Sequence, residues 1–405
     1  MTCTARRPHA DGSAPTRPAA ARGRRTRRAP AGGCGRRPVR LAVACAVACL
    51  TGALLVPAGA TAGGSPPEVP FRLTGDRCTA PSGIPADTPG WQYDRLDTGT
   101  LHSYGTGSGV TVAIVDTGLD PAATVFGGRL AGTAGGDCVG HGTFLAGLAA
   151  AGAAVPGIAP GATILPVRDT DRRGAAGVAA VAAGVRTAVA GGASVIVVGT
   201  VPDTGRDTGS GPLRAAVREA TRHGALVVAP VVADGTVPGA DRPVANPLAA
   251  VPDVLTVAGA TRTGAALTPN DPADLLAPGA AVTGVGPGGG AVTGTGASAA
   301  AALVGGAAAV LRGREPDLRP GQVAARLTGN AWQSDGGPAL DPVAAVTAVG
   351  GRTGTPAAAP RPRPPAPTDR FAAARLAVPV GAGALGAILL LAAGAAVTRA
   401  HRRRT

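Results

Sequence analysis

The chain has 405 residues, 45% of them hydrophobic and only 2% aromatic, so Ala, Val and Leu must pack its core. Its formal charge of +14 is concentrated at the ends, with +10 in residues 1–40 and +8 in residues 352–405, leaving −4 between them. That distribution excludes a basic nucleic-acid-binding domain and places the positive charge where it suits membrane topology.

About 130 residues read as tails and linkers, which leaves one large domain. Residues 1–62 follow signal-peptide grammar: an Arg-rich start, an apolar run from Leu41 to Val56, and Ala58-Gly-Ala60 as a small-residue cleavage site. Arg36-Arg37 also fits a twin-arginine signal, but arginine pairs recur throughout this region, and the general export route is the expectation. Of six cysteines only Cys78 and Cys138 lie beyond the first 50 residues, and two cysteines in an exported domain invite a disulfide.

Residues 63–108 are rich in Pro and Gly and read as an irregular extension packed on the domain that follows, residues 109–350. Gly109 to Val115 is a buried strand that ends at Asp116-Thr-Gly118, and open α/β sheets place active-site carboxylates at such strand ends. A plain turn aspartate before glycine is the competing reading. Next, His141 stands between two glycines at the head of a small-residue helix. Bare glycine on both sides lets backbone or substrate come close, which core packing does not require. His102 and His223 lack such a setting and read as surface residues. Apolar strands and helices then alternate: a strand near Ile164, a helix over 177–189, a strand over 193–198, a helix over 213–223, and strands over 225–232 and 254–257. This alternation predicts βαβ units around a mainly parallel sheet.

Gly294 to Leu311 places one hydroxyl, Ser298, at the head of a helix that is apolar on every side and therefore belongs in the core. The serine fits an N-cap. It also fits a nucleophile whose oxyanion would meet the free N–H groups of the first helical turn. A serine nucleophile needs a histidine base, and the only histidine after Ser298 is His401, in the basic tail. The base must therefore precede it. Gly296-Ala-Ser298-Ala-Ala300 also lacks the second glycine of a nucleophile elbow. A further short helix is expected over 320–327. Residues 351–375 form a Pro-rich linker, 376–398 an uncharged run long enough to span a bilayer, and 399–405 a basic tail. Positive residues stay in the cytoplasm, so the large domain should face outward from the cell membrane.

Asp116-Thr-Gly118, Gly140-His-Gly-Thr143 and Gly296-Ala-Ser-Ala-Ala-Ala, in the order Asp, His, Ser, resemble the motifs of the subtilisin-like (S8) serine proteases over about residues 90–350. Asp137-Cys-Val-Gly-His141, the single-cysteine extension, the Pro-rich linker and the C-terminal span narrow the likeness to the mycosins, the membrane-anchored proteases of type VII secretion. The resemblance implies an α/β, three-layer fold with a mainly parallel central sheet and a C-terminal transmembrane helix. It implies a triad in which Ser298 attacks the scissile carbonyl, His141 takes its proton and Asp116 orients the histidine. It pairs Cys78 with Cys138. It implies protein or peptide substrates, a type VII secretion membrane complex as partner, and no cofactor or metal. One departure stands out: the family's oxyanion-hole asparagine follows a strand like Val227-Val-Ala-Pro-Val-Val-Ala233, which puts Ala233 at that position. Losing one such donor costs about 10²–10³ in rate. Two expectations result: a serine endopeptidase of reduced activity, or a protease-shaped subunit that steadies a secretion complex.

Overall fold

The structure, a computed structural model, describes residues 64–133, 135–152, 155–204, 210–235, 243–269, 271–348 and Arg399. The expected signal region and nearly all of the linker, span and tail lie outside these residues. Among the described residues, no helix is long and apolar enough to cross a membrane.

Six parallel strands form the centre of the domain: β1 (Thr111–Asp116), β2 (Thr163–Arg168), β3 (Val195–Val198), β4 (Leu226–Pro230), β5 (Val254–Ala260) and β6 (Leu275–Pro278). Their spatial order is β2-β1-β3-β4-β5-β6. Each is a near-continuous apolar run because both faces are covered. Val112, Ile114, Val195 and Val197 point into one apolar cluster, while Ala113, Val115, Ile196 and Val198 point into a second on the opposite face. The period-2 alternation of a strand assigns the residues to these two faces.

The second face is covered by α4 (Val178–Ala190) and α5 (Gly211–Arg222). The first face packs against α3 (His141–Ala150) and α6 (Ala297–Arg314), giving three layers. Every residue of α6 from Ala297 to Leu311 is buried. Its small side chains let the helix axis sit close to the sheet: a Cβ on Gly305 would collide with Val197. The subtilisin-like α/β fold with a mostly parallel sheet is therefore the fold of this chain.

Three features differ from the sequence expectations. The extension is not wholly irregular, since it holds two short helices, α1 (Trp91–Arg95) and α2 (Thr98–Tyr104). A hairpin, β7 (Val282–Val285) with β8 (Ala291–Gly294), precedes the Ser298 helix. The sheet also continues through β10 (Gly337–Ala339) to an antiparallel edge strand, β9 (Trp332–Ser334), flanked by α7 (Pro320–Gly329) and α8 (Pro342–Thr347). These strands are three or four residues long, too short to show a period.

Residues 64–90 run along the domain rather than away from it. Val69 N–H donates to Thr293 of β8, Leu73 N–H to Arg173, and the Arg72 guanidinium pairs with Asp203 at 2.8 Å. A Cys78–Cys138 disulfide fixes this segment beside the start of α3. It closes a loop of 60 residues, which the chain-entropy treatment makes worth about 4 kcal/mol.

Candidate active site

Strand order reverses between β1 and β3, and the carboxyl ends of strands at such a switch point form a natural crevice. Asp116 is the last residue of β1 there and is 1% exposed. Its Oδ1 accepts from the Thr117 N–H at 2.7 Å, the Thr117 hydroxyl at 3.1 Å and the His141 Nδ1–H at 2.9 Å. Three donors on one oxygen hold the carboxylate in a single orientation.

His141 opens α3 from a preceding glycine, Gly140, whose φ of 89° only glycine adopts readily. The helix start is held by Asp137. Its carboxylate accepts from Gly140 N–H at 2.7 Å and from both the N–H and the hydroxyl of Thr143 at 2.8 Å. Helix-capping of this kind also places a negative charge at the positive end of the dipole. Gly142 lets α3 press against the Asp116 turn, since a Cβ there would strike the Gly118 backbone. Gly142 thus serves the approach of two backbone segments, while Gly140 leaves room for the Pro287 ring.

Ser298 lies in the first turn of α6 and is 1% exposed. Its Oγ is 3.1 Å from His141 Nε2. The structure therefore brings Asp116, His141 and Ser298 into one hydrogen-bonded chain from strand end to helix head to helix head. His102 is half-buried and lies 3.1 Å from the Ile158 carbonyl, far from this crevice in role. His223 is exposed at the end of α5.

The sequence places the oxyanion position at Ala233, with Asp234 beside it as a poor substitute for an amide. Ala233 lines the crevice, but its backbone N–H is tied to Val244 and it offers only a methyl group. The side chain that reaches Ser298 is the next one, Asp234. Its Oδ1 accepts the Ser298 N–H at 3.1 Å, its Oδ2 lies 3.3 Å from His141 Nε2, and its Oδ2 also accepts from the Ser298 hydroxyl. A Cβ on Gly296 would collide with the carboxyl group, so glycine at 296 leaves the room that Asp234 fills. The position expected from the sequence, Ala233, is one residue short of the side chain that reaches Ser298, because the chain runs on through Val231 and Val232 after β4 before it turns. The available signal was shape: in Val231-Val-Ala233-Asp234-Gly235 only Asp234 is isosteric with asparagine.

Electrostatics follow from this arrangement. Burial alone would push the His141 imidazolium down, but Asp116 on Nδ1 and Asp234 on Nε2 outweigh it and hold the histidine well above its usual range. A second buried carboxyl, Asp169, follows β2, with its N–H on the Asp116 carbonyl and its Oδ1 accepting from Thr200 at 3.0 Å. Its other oxygen has no partner among the described residues. Burial, and then the charge of Asp116, raise its pKa to about 8. At neutral pH Asp169 is therefore protonated.

Between the unfolded value near 3.8 and the folded value near 8, the folded protein holds a proton that the unfolded chain has lost. Stability should fall as pH rises through that window and level off above it. Melting temperatures from thermal scans should show this slope in the wild type and a shallower one in Asp169→Asn. An equal slope in both would rule Asp169 out as its source.

A buried Asp–His–Ser chain at a parallel-sheet switch point is the arrangement of a serine peptidase. The comparisons make the family specific. The pattern of the subtilase family, Peptidase S8, matches residues 107–358. Mycosin-1 of Mycobacterium tuberculosis is 29% identical, over 84% of this chain and 94% of its own length. Subtilisin E of Bacillus subtilis is 31% identical, over 57% of this chain and 63% of that protein. Among solved structures, the MycP3 protease from the type VII (ESX-3) secretion system aligns with a TM-score of 0.55 at 28% identity, covering 70% of this chain and 96% of that one. MycP1, described as an essential component of the type VII (ESX-1) secretion system, aligns with a TM-score of 0.56 at 26% identity and the same coverage. The chain belongs to the subtilase family of serine peptidases and is similar to Mycosin-1 along most of its length.

Proposed function

We propose that this chain is an endopeptidase anchored in the cell membrane by residues 376–398, with its catalytic domain outside the cytoplasm, and that it serves a type VII secretion system. The observation that carries the enzymatic part is the continuous contact of Ser298 Oγ, His141 and Asp116 at 3.1 Å and 2.9 Å. In this reading His141 Nε2 takes the Ser298 proton as Oγ attacks a peptide carbonyl. Asp116 stabilises the imidazolium so formed. The same proton then goes to the leaving amine, and water, deprotonated by His141, hydrolyses the acyl-enzyme. The Ser298 N–H, at the positive end of α6, is one donor to the oxyanion. The secretion assignment is supported by the likeness to Mycosin-1 along nearly its whole length and by the Cys78–Cys138 bridge. Anchoring rests on the uncharged run and the arginines at 399 and 402–404.

A fluorophosphonate probe should label the wild-type protein at Ser298 somewhere between about pH 4 and about pH 9, the span in which a histidine base can act. Absence of labelling across that span would defeat the enzymatic reading. For topology, protease added outside intact cells should remove the domain and leave a short C-terminal fragment. Full protection of the domain would reverse the proposed orientation.

A further inference from the structure

An oxyanion needs a donor, and the side chain standing where a second donor belongs is a carboxyl. Asp234 accepts both the N–H and the hydroxyl of Ser298 and approaches His141 Nε2. We propose that Asp234 in its protonated form is the second oxyanion donor, so that one proton shared between His141 and Asp234 switches the protease on and off. This rests on the serine peptidase reading and deepens it.

Three protonation states of the pair can be distinguished. With one proton on the pair, the ground arrangement is His141 imidazolium beside Asp234 carboxylate, and two carboxylates around the ring favour it. That state is shut. The Ser298 hydroxyl donates to Asp234 instead of His141, and Asp234 Oδ1 occupies the Ser298 N–H that an oxyanion would use. Moving the proton from His141 Nε2 to Asp234 Oδ2, 3.3 Å away, opens the site without any gain or loss of protons. His141 is then a neutral base 3.1 Å from Ser298 Oγ, and Asp234 carries an O–H to donate.

Catalysis runs from this open form. The carbonyl oxygen of the substrate displaces Oδ1 from the Ser298 N–H. Ser298 Oγ bonds to the carbonyl carbon, its proton passes to His141 Nε2, and the C=O π electrons move onto oxygen. That oxyanion accepts from the Ser298 N–H and the Asp234 O–H. When the C–N bond breaks, the electrons return to the carbonyl and the amine leaves with the His141 proton. A carboxylic acid kept neutral can serve as an oxyanion donor on this principle.

Adding a second proton leaves His141 unable to act as base. Removing the shared proton leaves a carboxylate facing the developing negative charge. Activity should therefore be bell-shaped in pH, and the two limbs belong to the coupled pair rather than to either residue alone. Around the pair stand Asp116 behind His141, Asp169 beside Asp116, Ser298 at the head of α6, and Arg72 from the 64–90 segment. Arg72 lines the crevice but is bound to Asp203.

The test compares kcat/KM against pH for the wild type, Asp234→Asn and Asp234→Ala, with the fold checked by circular dichroism at each pH. The wild type should fall on the alkaline side. Asp234→Asn, whose amide donates at every pH, should rise through one ionisation and then stay flat, exceeding the wild type by about 10²–10³ at alkaline pH. Asp234→Ala should also lack the alkaline fall, yet remain about 10²–10³ below Asp234→Asn throughout. A wild type with no alkaline fall, or equal activity of the Asn and Ala variants, would overturn the proposal. Should the variants fail to fold, fluorophosphonate labelling of the wild type must itself slow on the alkaline side; a flat or rising rate overturns the switch. No labelling of Ser298 at any pH would instead overturn the peptidase reading itself.

Discussion

Replacing Ser298 by alanine is expected to lower peptide hydrolysis about 10⁶-fold, the scale on which a subtilisin-type triad loses its nucleophile. The fold should survive, because the change removes one oxygen from a side chain already inside a helix of alanines. What it leaves behind is also informative. Without the hydroxyl, Asp234 still accepts the Ser298-position N–H and still faces His141, so the ion pair persists with no nucleophile between. His141→Ala should cost about as much, and the double variant little more, since the two residues act as one unit. Rates on a fluorogenic peptide pool, with active sites counted by serine-probe titration in the wild type, give these numbers. A loss smaller than about tenfold in Ser298→Ala would assign the hydrolysis to some other group.

Each triad member was legible because its chemistry is written in a few adjacent residues. Asp116 closes an apolar strand, His141 sits among glycines at a helix head, and Ser298 begins a helix with no polar face. The sheet was legible through runs such as Val195–Val198, whose residues are buried on both sides. The oxyanion position was not, because it depends on how many residues the chain spends between the end of β4 and its turn. Counting from Val227 reaches Ala233; the backbone, with Val232 paired to Ala245, delivers Asp234. The reason Asp137 precedes His141 was equally hidden, since helix-capping by its carboxylate is a contact with Gly140 and Thr143 and leaves no trace in hydropathy. Helices α1 and α2 escaped because five and seven residues among prolines and glycines show no periodicity.

Asp116→Asn should reduce kcat about 10⁴-fold, and the surroundings of His141 explain why a near-isosteric change costs so much. In the wild type the imidazole lies between two carboxylates, Asp116 on Nδ1 and Asp234 on Nε2. In the open form Asp116 keeps the N–H on Nδ1 and leaves Nε2 to face Ser298. With the Asp116 charge gone, Asp234 is the remaining carboxylate at the ring, and it attracts the proton to Nε2. That is the tautomer that cannot accept from Ser298. Asp169 offers no replacement, because its carboxyl accepts from the Thr200 hydroxyl rather than from the ring. The imidazolium formed during attack would also lack its counter-charge in a site 6% exposed at His141. Adding Asp234→Asn to Asp116→Asn should therefore recover part of the loss, by removing the pull toward Nε2. Measured kcat values for the two single variants and the double variant form a cycle that reads this coupling directly. Additive effects in that cycle would mean that the two carboxylates do not compete for the histidine proton.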